Sequence, residues 1–399
     1  MDDFSHDEHD EQGSVGRDNS RIAEVFRRYG GEYRKRHLLS REQRLAIQNI
    51  CRCRTEELGG HLRECPFCDY TEVHYNSCRD RHCPLCQWMD QAEWARKQTE
   101  RNLPIAVFMV TFTIPSELGR IALQNPQLIL GLMFHASHRT LQKLATEQGL
   151  GCLGVTSIAH TWSREMNWHL HIHSNVTSGG FDGERWNPTK PDFLFSIERV
   201  RELYRKRVIR GLRRLYKKHK LCLKGDLASL ADPDAFEALM KTIEAEDWIV
   251  DIQPPKGKPE HATKYLSMYT RSVAISDYRI ISVDDGMVTF KTRDENTLTL
   301  GWEEFIRRFL LHVLPSGFRK VRHYGLYSNS SGARREEAKR ALRILTGAPP
   351  QEPETTTELT WQERIKLETG VDPSVCPKCK RPGITTTPFG PRRVVKLAA

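Results

Sequence analysis

The chain has 399 residues, of which 28% are charged, and its mean hydropathy is −0.58, values of a water-exposed globular protein long enough for two or three domains. A net charge of +10 and a pI near 9.1 point toward a polyanionic partner, most simply nucleic acid. The longest apolar run, residues 103–115, is interrupted by Thr111 and Thr113 and is too short to span a bilayer, so no membrane role is expected.

Residues 1–20 are acidic and contain histidine but lack the apolar core of a signal peptide, and read as a disordered start. Eleven cysteines without a secretion signal argue for metal ligands in a reducing, cytoplasmic compartment rather than disulfides. Residues 21–49 are basic and amphipathic, with Ile22, Val25 and Phe26 followed by Leu45, Ile47 and Ile50, and are expected to be helical.

A dense cluster follows: Cys51, Cys53, His61, Cys65, Cys68, Cys78, His82, Cys83 and Cys86. Cys65-Pro66-Phe67-Cys68 and Cys83-Pro84-Leu85-Cys86 are two knuckles 14 residues apart. Each presents two thiolates from a tight turn, and together they are expected to complete a tetrahedral Zn²⁺ site. Cys53, His61, Cys78 and His82 suffice for a second zinc, with the partition among ligands left open. Closed thiolate sites are usually structural, so the cluster predicts a zinc-stabilised module over residues 21–101, ending in a Trp- and charge-rich helix.

Beyond it, residues 106–114 read as a strand, 126–148 as a helix and 153–162 as a second strand. A turn at Ser163-Arg164-Glu165 leads to a strand over 167–177, stopped by Gly179-Gly180. That strand contains Trp168-His169-Leu170-His171-Ile172-His173. Side chains alternate faces along a strand, so the three histidines share one face while Leu170 and Ile172 share the other. Imidazole is the commonest protein metal ligand, and same-face neighbours lie within reach of one ion. A metal-bearing strand is the expected reading, against a merely His-rich polar edge.

Residues 199–220 form a predicted helix with eleven Lys or Arg against one acid, Glu202. Arg205, Arg210, Arg213, Arg214 and Lys217 on it are candidates for phosphate contact, which positions a nucleic acid without reading its sequence. A strand over 248–253, a hairpin of 279–283 and 287–291 across Asp284-Asp285-Gly286, and a helix from Trp302 to Pro315 follow. Residues 328–360 read as helix and linker, and 361–399 as a tail with one further knuckle, Cys376-Pro377-Lys378-Cys379. With two ligands this is half a zinc site, either a remnant or the completion of a site elsewhere. Strands and helices interspersed without strict alternation indicate an α+β fold with a mostly antiparallel sheet.

The segment 261–271 reads as a helix in which Tyr265 and Tyr269, four apart, share a face. Alone, such a pair is commonly core. Beside a histidine strand it gains another meaning, because an imidazole-held metal polarises a phosphodiester and a tyrosine oxygen is a competent nucleophile. Lys264 and Arg271 would then bind phosphate.

His171-Ile172-His173 with Tyr265-x-x-x-Tyr269 downstream and the cysteine module upstream resembles the two-tyrosine HUH transposases of rolling-circle insertion sequences. Residues 77–84, 169–173 and 307–318 look like signatures of that family, and the likeness covers roughly residues 41–327. The family usually has proline where Leu170 stands. The resemblance implies an HUH nuclease domain over 102–327 with a central antiparallel sheet flanked by helices. It implies Mg²⁺ or Mn²⁺ on His171 and His173 and a third ligand that the sequence does not identify; His169 has the right face for it, and Glu165 and His261 are outside candidates. It further implies cleavage of single-stranded DNA by Tyr265 and Tyr269 through a 5′-phosphotyrosine. No phosphate-binding G-x-x-x-x-G-K-[ST] loop occurs, so unwinding would fall to a host helicase. Rival readings are a replication initiator or relaxase, a histidine-triad hydrolase (disfavoured by Ser174-Asn175) and a non-catalytic zinc DNA-binding protein.

Overall fold

The computed structural model describes residues 20–256, 261–263, 266, 270, 274–293, 295–347 and 359–391. The basic N-terminal stretch forms two helices, α1 (Arg21–Arg36) and α2 (Arg41–Arg52). Ser40 separates them: its hydroxyl accepts from the Gln43 N–H while the Gln43 side chain accepts from the Ser40 N–H. This reciprocal cap starts a new helix at residue 41. A short hairpin of β1 (Gly60–Glu64) and β2 (Thr71–Tyr75) precedes α3 (Gln87–Arg101).

The middle of the chain supplies β3 (Val107–Thr113), α4 (Gly119–Gln124), α5 (Pro126–Glu147), β4 (Cys152–Trp162), β5 (Trp168–Phe181) and β6 (Trp186–Pro188). Then come α6 (Ile197–Lys217), α7 (Pro233–Ala245) and β7 (Val250–Gln253). The last third holds β8 (Ile280–Asp284), β9 (Met287–Lys291), β10 (Thr297–Gly301), α8 (Trp302–Leu311) and β11 (Val321–Gly325). It ends in α9 (Gly332–Thr346), α10 (Trp361–Thr369) and β12 (Thr385–Phe389).

The largest sheet runs β11-β4-β5-β3-β7 with β6 added on β5, and its pairs are antiparallel, as an α+β chain requires. Phe108, Val110, Phe112, Leu170, Ile172 and Val176 fall on one face and are buried under α5 and α6. There the Phe112 ring lies 4.8 Å from Tyr204 of α6. Each such buried side chain contributes about 1.5–3 kcal/mol, so this face fixes the register. The other face carries Thr111, His171, His173 and Asn175.

The glycine pair at 179–180 does not stop β5, as the sequence suggested. Gly179 adopts φ 139°, and a Cβ there would lie 2.5 Å from Trp186 Nε1 and 2.6 Å from Asn187 O. Glycine is what lets β6 close upon β5. Asp285 and Gly286, at φ 46° and 76°, turn β8 into β9 as the hairpin sequence predicted.

Core groupings cut across the expected boundary at residue 101. Helices α1 and α2 share one core with β8–β10 and α8, where the rings of Phe26 and Phe309 meet edge-on at 5.0 Å. Strands β10-β9-β8 form one small sheet, and a second, β12-β1-β2, joins the last described strand to the N-terminal hairpin. No helix among the described residues is long and apolar enough to cross a membrane.

Candidate metal centre and zinc module

Strands β4 and β5 bring three imidazoles together. His171 and His173 sit on β5, and the register sets His160 of β4 opposite His171. Ligand nitrogens of His160, His171 and His173 all lie within 4.8 Å of one another. His160 Nδ1 and His171 Nε2 are 3.1 Å apart, close to the about 3 Å between adjacent donors around a six-coordinate ion at about 2.1 Å.

The ring nitrogens are oriented from behind. His171 Nδ1 lies 3.3 Å from the His169 carbonyl, which can only accept, so Nδ1 carries the proton and Nε2 offers its lone pair. His173 Nδ1 is held 3.1 Å from the Thr111 hydroxyl, leaving Nε2 for a ligand. Burial first, and then the neighbouring histidines, hold the pKa values of His160 and His171 well below the usual imidazole value; Lys320 adds to this at His160. Both rings are therefore neutral at pH 7, the form that binds metal. The residues fit a divalent cation by number, spacing and protonation.

Sequence reasoning missed His160 and offered His169 instead. His169 is exposed and stands outside the group, its ring 5.1 Å from that of His171. Glu165 serves the hairpin turn, accepting from the Ser163 hydroxyl at 2.8 Å, and His261 is exposed. Tyr265, Tyr269, Lys264 and Arg271 lie outside the described residues. Their segment begins against the histidine face: Asn175 donates to Ala262 O at 3.1 Å, and Asn102, just past α3, donates to the Thr263 hydroxyl at 2.8 Å. Residues 261–263, 266 and 270 are helical, with Thr263, Leu266 and Thr270 buried.

Among the zinc candidates, Cys53, Cys78, Cys83 and Cys86 form one group, with Cys53–Cys86 and Cys78–Cys86 sulfurs 3.1 and 3.5 Å apart. Zn–S bonds of about 2.3 Å imply sulfurs about 3.8 Å apart in a tetrahedron, so four thiolates here fit Zn²⁺. The two N-terminal knuckles do not pair with each other. Cys65 and Cys68 instead face Cys376 and Cys379, at 3.6 Å (Cys65–Cys379) and 3.7 Å (Cys68–Cys376).

His61 and His82 stand outside both thiol groups. His82 has both nitrogens engaged, Nδ1–H donating to Asp80 at 3.0 Å and Nε2 accepting from the Leu314 N–H at 3.3 Å. Arg81 donates to Phe318 O at 2.8 Å. Two stretches singled out in the sequence, 77–84 and 307–318, thus pack against each other and seat the zinc module beside the sheet.

Helix α6 lies across the sheet from the imidazoles, because Phe112, which Tyr204 touches, points away from Thr111 and His173. Arg213 is held by Glu237 at 2.5 Å and by Glu244 at 3.4 Å, and Arg205 reaches Glu246 O at 3.4 Å. Arg210, Arg214 and Lys217 are exposed.

Residues 154–335 match a family model described as "Putative transposase", and residues 25–114 match one described as "Transposase zinc-binding domain". The chain is 36% identical over 377 residues to "Putative transposase y4qJ" of Sinorhizobium fredii, covering 92% of this chain and 94% of that one. It is 24% identical over 343 residues to "Transposase for insertion sequence element IS801" of Pseudomonas savastanoi pv. phaseolicola, covering 84% and 80%. No solved structure matches the chain.

Proposed function

Because this chain belongs to the transposase family with an N-terminal transposase zinc-binding domain, we propose that it cuts and rejoins single-stranded DNA at the ends of a rolling-circle insertion sequence through 5′-phosphotyrosine intermediates. The observation carrying this reading is the group of His160, His171 and His173, on the sheet face where Asn175 ties down residue 262.

A divalent cation on these three imidazoles, Mg²⁺ or Mn²⁺, supplies Lewis-acid polarisation of the scissile phosphate. All-nitrogen donors suit Mn²⁺ better than Mg²⁺, which prefers oxygen. The His169 carbonyl holds the His171 ring in the ligating tautomer, and the Thr111 hydroxyl orients the His173 ring. The Oη of Tyr265 or Tyr269 attacks phosphorus; the P–Oη bond forms as the P–O3′ bond breaks, and the departing oxygen takes a proton to become a free 3′-OH. The ester keeps the energy of the broken bond, so a 3′-OH can later reverse the step and rejoin strands without ATP. A second tyrosine permits a second transfer before the first is resolved. Lys264 and Arg271 bind the phosphates flanking the cut, and Arg210, Arg214 and Lys217 hold DNA farther away. Strand separation falls to a host helicase.

A denaturing-gel assay tests the reading. Labelled single-stranded DNA from the element ends and Mn²⁺ should give a slow-migrating covalent adduct, absent without metal and absent in Tyr265→Phe/Tyr269→Phe. Binding without any adduct would support a non-catalytic zinc DNA-binding protein. An adduct formed only on a plasmid origin would support a replication initiator or relaxase.

A further inference from the structure

The C-terminal knuckle lies outside residues 25–114, the stretch matched by the zinc-binding family model. We propose that Cys65, Cys68, Cys376 and Cys379 hold a second Zn²⁺, which fastens the C-terminal segment onto the N-terminal hairpin as a third strand. This inference does not depend on the transesterification chemistry.

The sulfur geometry comes first. The four sulfurs lie within 4.8 Å of one another, with Cys65–Cys379 at 3.6 Å and Cys68–Cys376 at 3.7 Å. Those values match the edge of about 3.8 Å in a tetrahedral zinc–thiolate site. They are far from the about 2.05 Å of a disulfide.

The two knuckles are alike in sequence, and in each the first cysteine's sulfur accepts a backbone N–H of its own turn. In Cys65-Pro66-Phe67-Cys68 the Phe67 N–H points at Cys65 Sγ at 3.4 Å, and in Cys376-Pro377-Lys378-Cys379 the Cys379 N–H points at Cys376 Sγ at 3.5 Å. Such donors favour the thiolate over the thiol. Four thiols would release their protons on binding, leaving a net charge of −2 on the tetrathiolate. Three cations tie the two segments together beside the knuckles: Lys378 pairs with Asp69 at 2.5 Å, Arg381 lies over the Phe67 ring at 5.5 Å, and Arg63 donates to Pro373 O.

The backbone is shaped for the same union. β12 pairs with β1 over five residues, from Gly60↔Phe389 to Glu64↔Thr385. A Cβ on Gly59, which adopts φ 67°, would lie 2.6 Å from Phe389 O. Glycine at 59 therefore admits a strand that enters the sheet from more than 300 residues away.

Among the described residues the segment has little buried surface: β12 is exposed at all its positions, and from residue 371 to 391 only Pro373 and Cys376 are buried, its other ties being the β1 ladder and partly exposed polar contacts such as Lys378–Asp69 and Arg364–Glu93. A strand with no core of its own needs a metal, as in small zinc-dependent modules.

The test uses the full-length chain with a protease site inserted between Gly347 and Leu359. After cleavage the C-terminal fragment should co-elute with the remainder on gel filtration and dissociate when 1,10-phenanthroline strips zinc. Elemental analysis should give one zinc fewer per chain in Cys376→Ser/Cys379→Ser than in the parent, with the variant's fragment lost on cleavage. Should that variant misfold, native mass spectrometry of the cleaved parent decides: the complex should weigh the two fragments plus two zinc ions less the hydrogens they displace, two for each ion. Equal zinc in parent and variant would overturn the proposal. So would a fragment retained after all zinc is removed, or a parent mass lower by four hydrogens, the mark of two disulfides.

Discussion

His160 Nδ1 lies 3.1 Å from His171 Nε2, the two residues facing each other across β4 and β5. This contact makes His160, rather than exposed His169, the partner of His171 and His173. His160→Ala should raise the Mn²⁺ concentration needed for half-maximal DNA cleavage by at least about 10-fold, the scale of lost metal support. His169→Ala should leave it within error. The reverse ranking in a Mn²⁺ titration would remove His160 from the centre.

That contact also marks where the sequence could be read and where it could not. The alternation in residues 168–173 displays His171 and His173 on one face because both belong to one strand. His160 comes from the neighbouring strand, and counting back from the Trp162↔Trp168 pair sets it opposite Leu170. A register shift between His160 and Trp162 moves it onto His171. One extra residue in a bulge reassigns the facing side chains, and no local pattern announces it. The cysteines follow the same logic. Each C-P-x-C turn shows two thiols, but the choice of partner knuckle depends on β12 adding to β1. The main helices, the β4–β5 and β8–β9 hairpins and the antiparallel sheet were legible, since each rests on period, caps or turn residues close together in the chain.

Cys53 and Cys83 are fully buried in the core shared by α1, α2, β8–β10 and α8. Zinc at the Cys53 group should therefore stabilise residues far along the chain. Cys83→Ser should lose amide protection in β9 and α8 as well as in residues 53–86, read by hydrogen exchange with mass spectrometry. Loss confined to 53–86 would mean that the module folds independently of that core.

His312 lies beneath the β4–β5 turn, its Nε2–H donating to Met166 O and its Nδ1 accepting from the Thr161 hydroxyl, both at 3.1 Å. Burial pushes its pKa down to about 4. The unfolded chain, with an imidazole pKa of about 6.5, then binds more protons than the folded one below that pH. The stabilising difference is fully present above about pH 6.5 and is lost as pH falls toward 4, by up to about 1.4 kcal/mol per pH unit. Urea unfolding across that window should show a shallower decline for His312→Gln. Parallel slopes would mean that His312 takes up its proton without cost in the folded state.

The basic helix α6 divides into two kinds of cation. Arg210, Arg214 and Lys217 are exposed, whereas Arg213 is committed to Glu237 and Glu244. Replacing the exposed three by alanine should reduce the slope of log affinity against log salt by about 2 to 3, at about 0.7–0.9 per phosphate contact. Arg213→Ala should leave that slope alone and lower stability by up to about 1 kcal/mol. An unchanged slope in the triple variant would leave α6 a solvated face.

The proposed activity esterifies a tyrosine of this chain to DNA. The adduct formed with Mn²⁺ should be trapped, digested with nuclease and protease, and its peptides mapped by mass spectrometry. A nucleotide remnant on the oxygen of Tyr265 or Tyr269, moving wholly to the other in each single Phe variant and disappearing in His171→Ala, is the predicted result. A remnant on any other residue, or DNA cut with no remnant on the protein, would contradict the account.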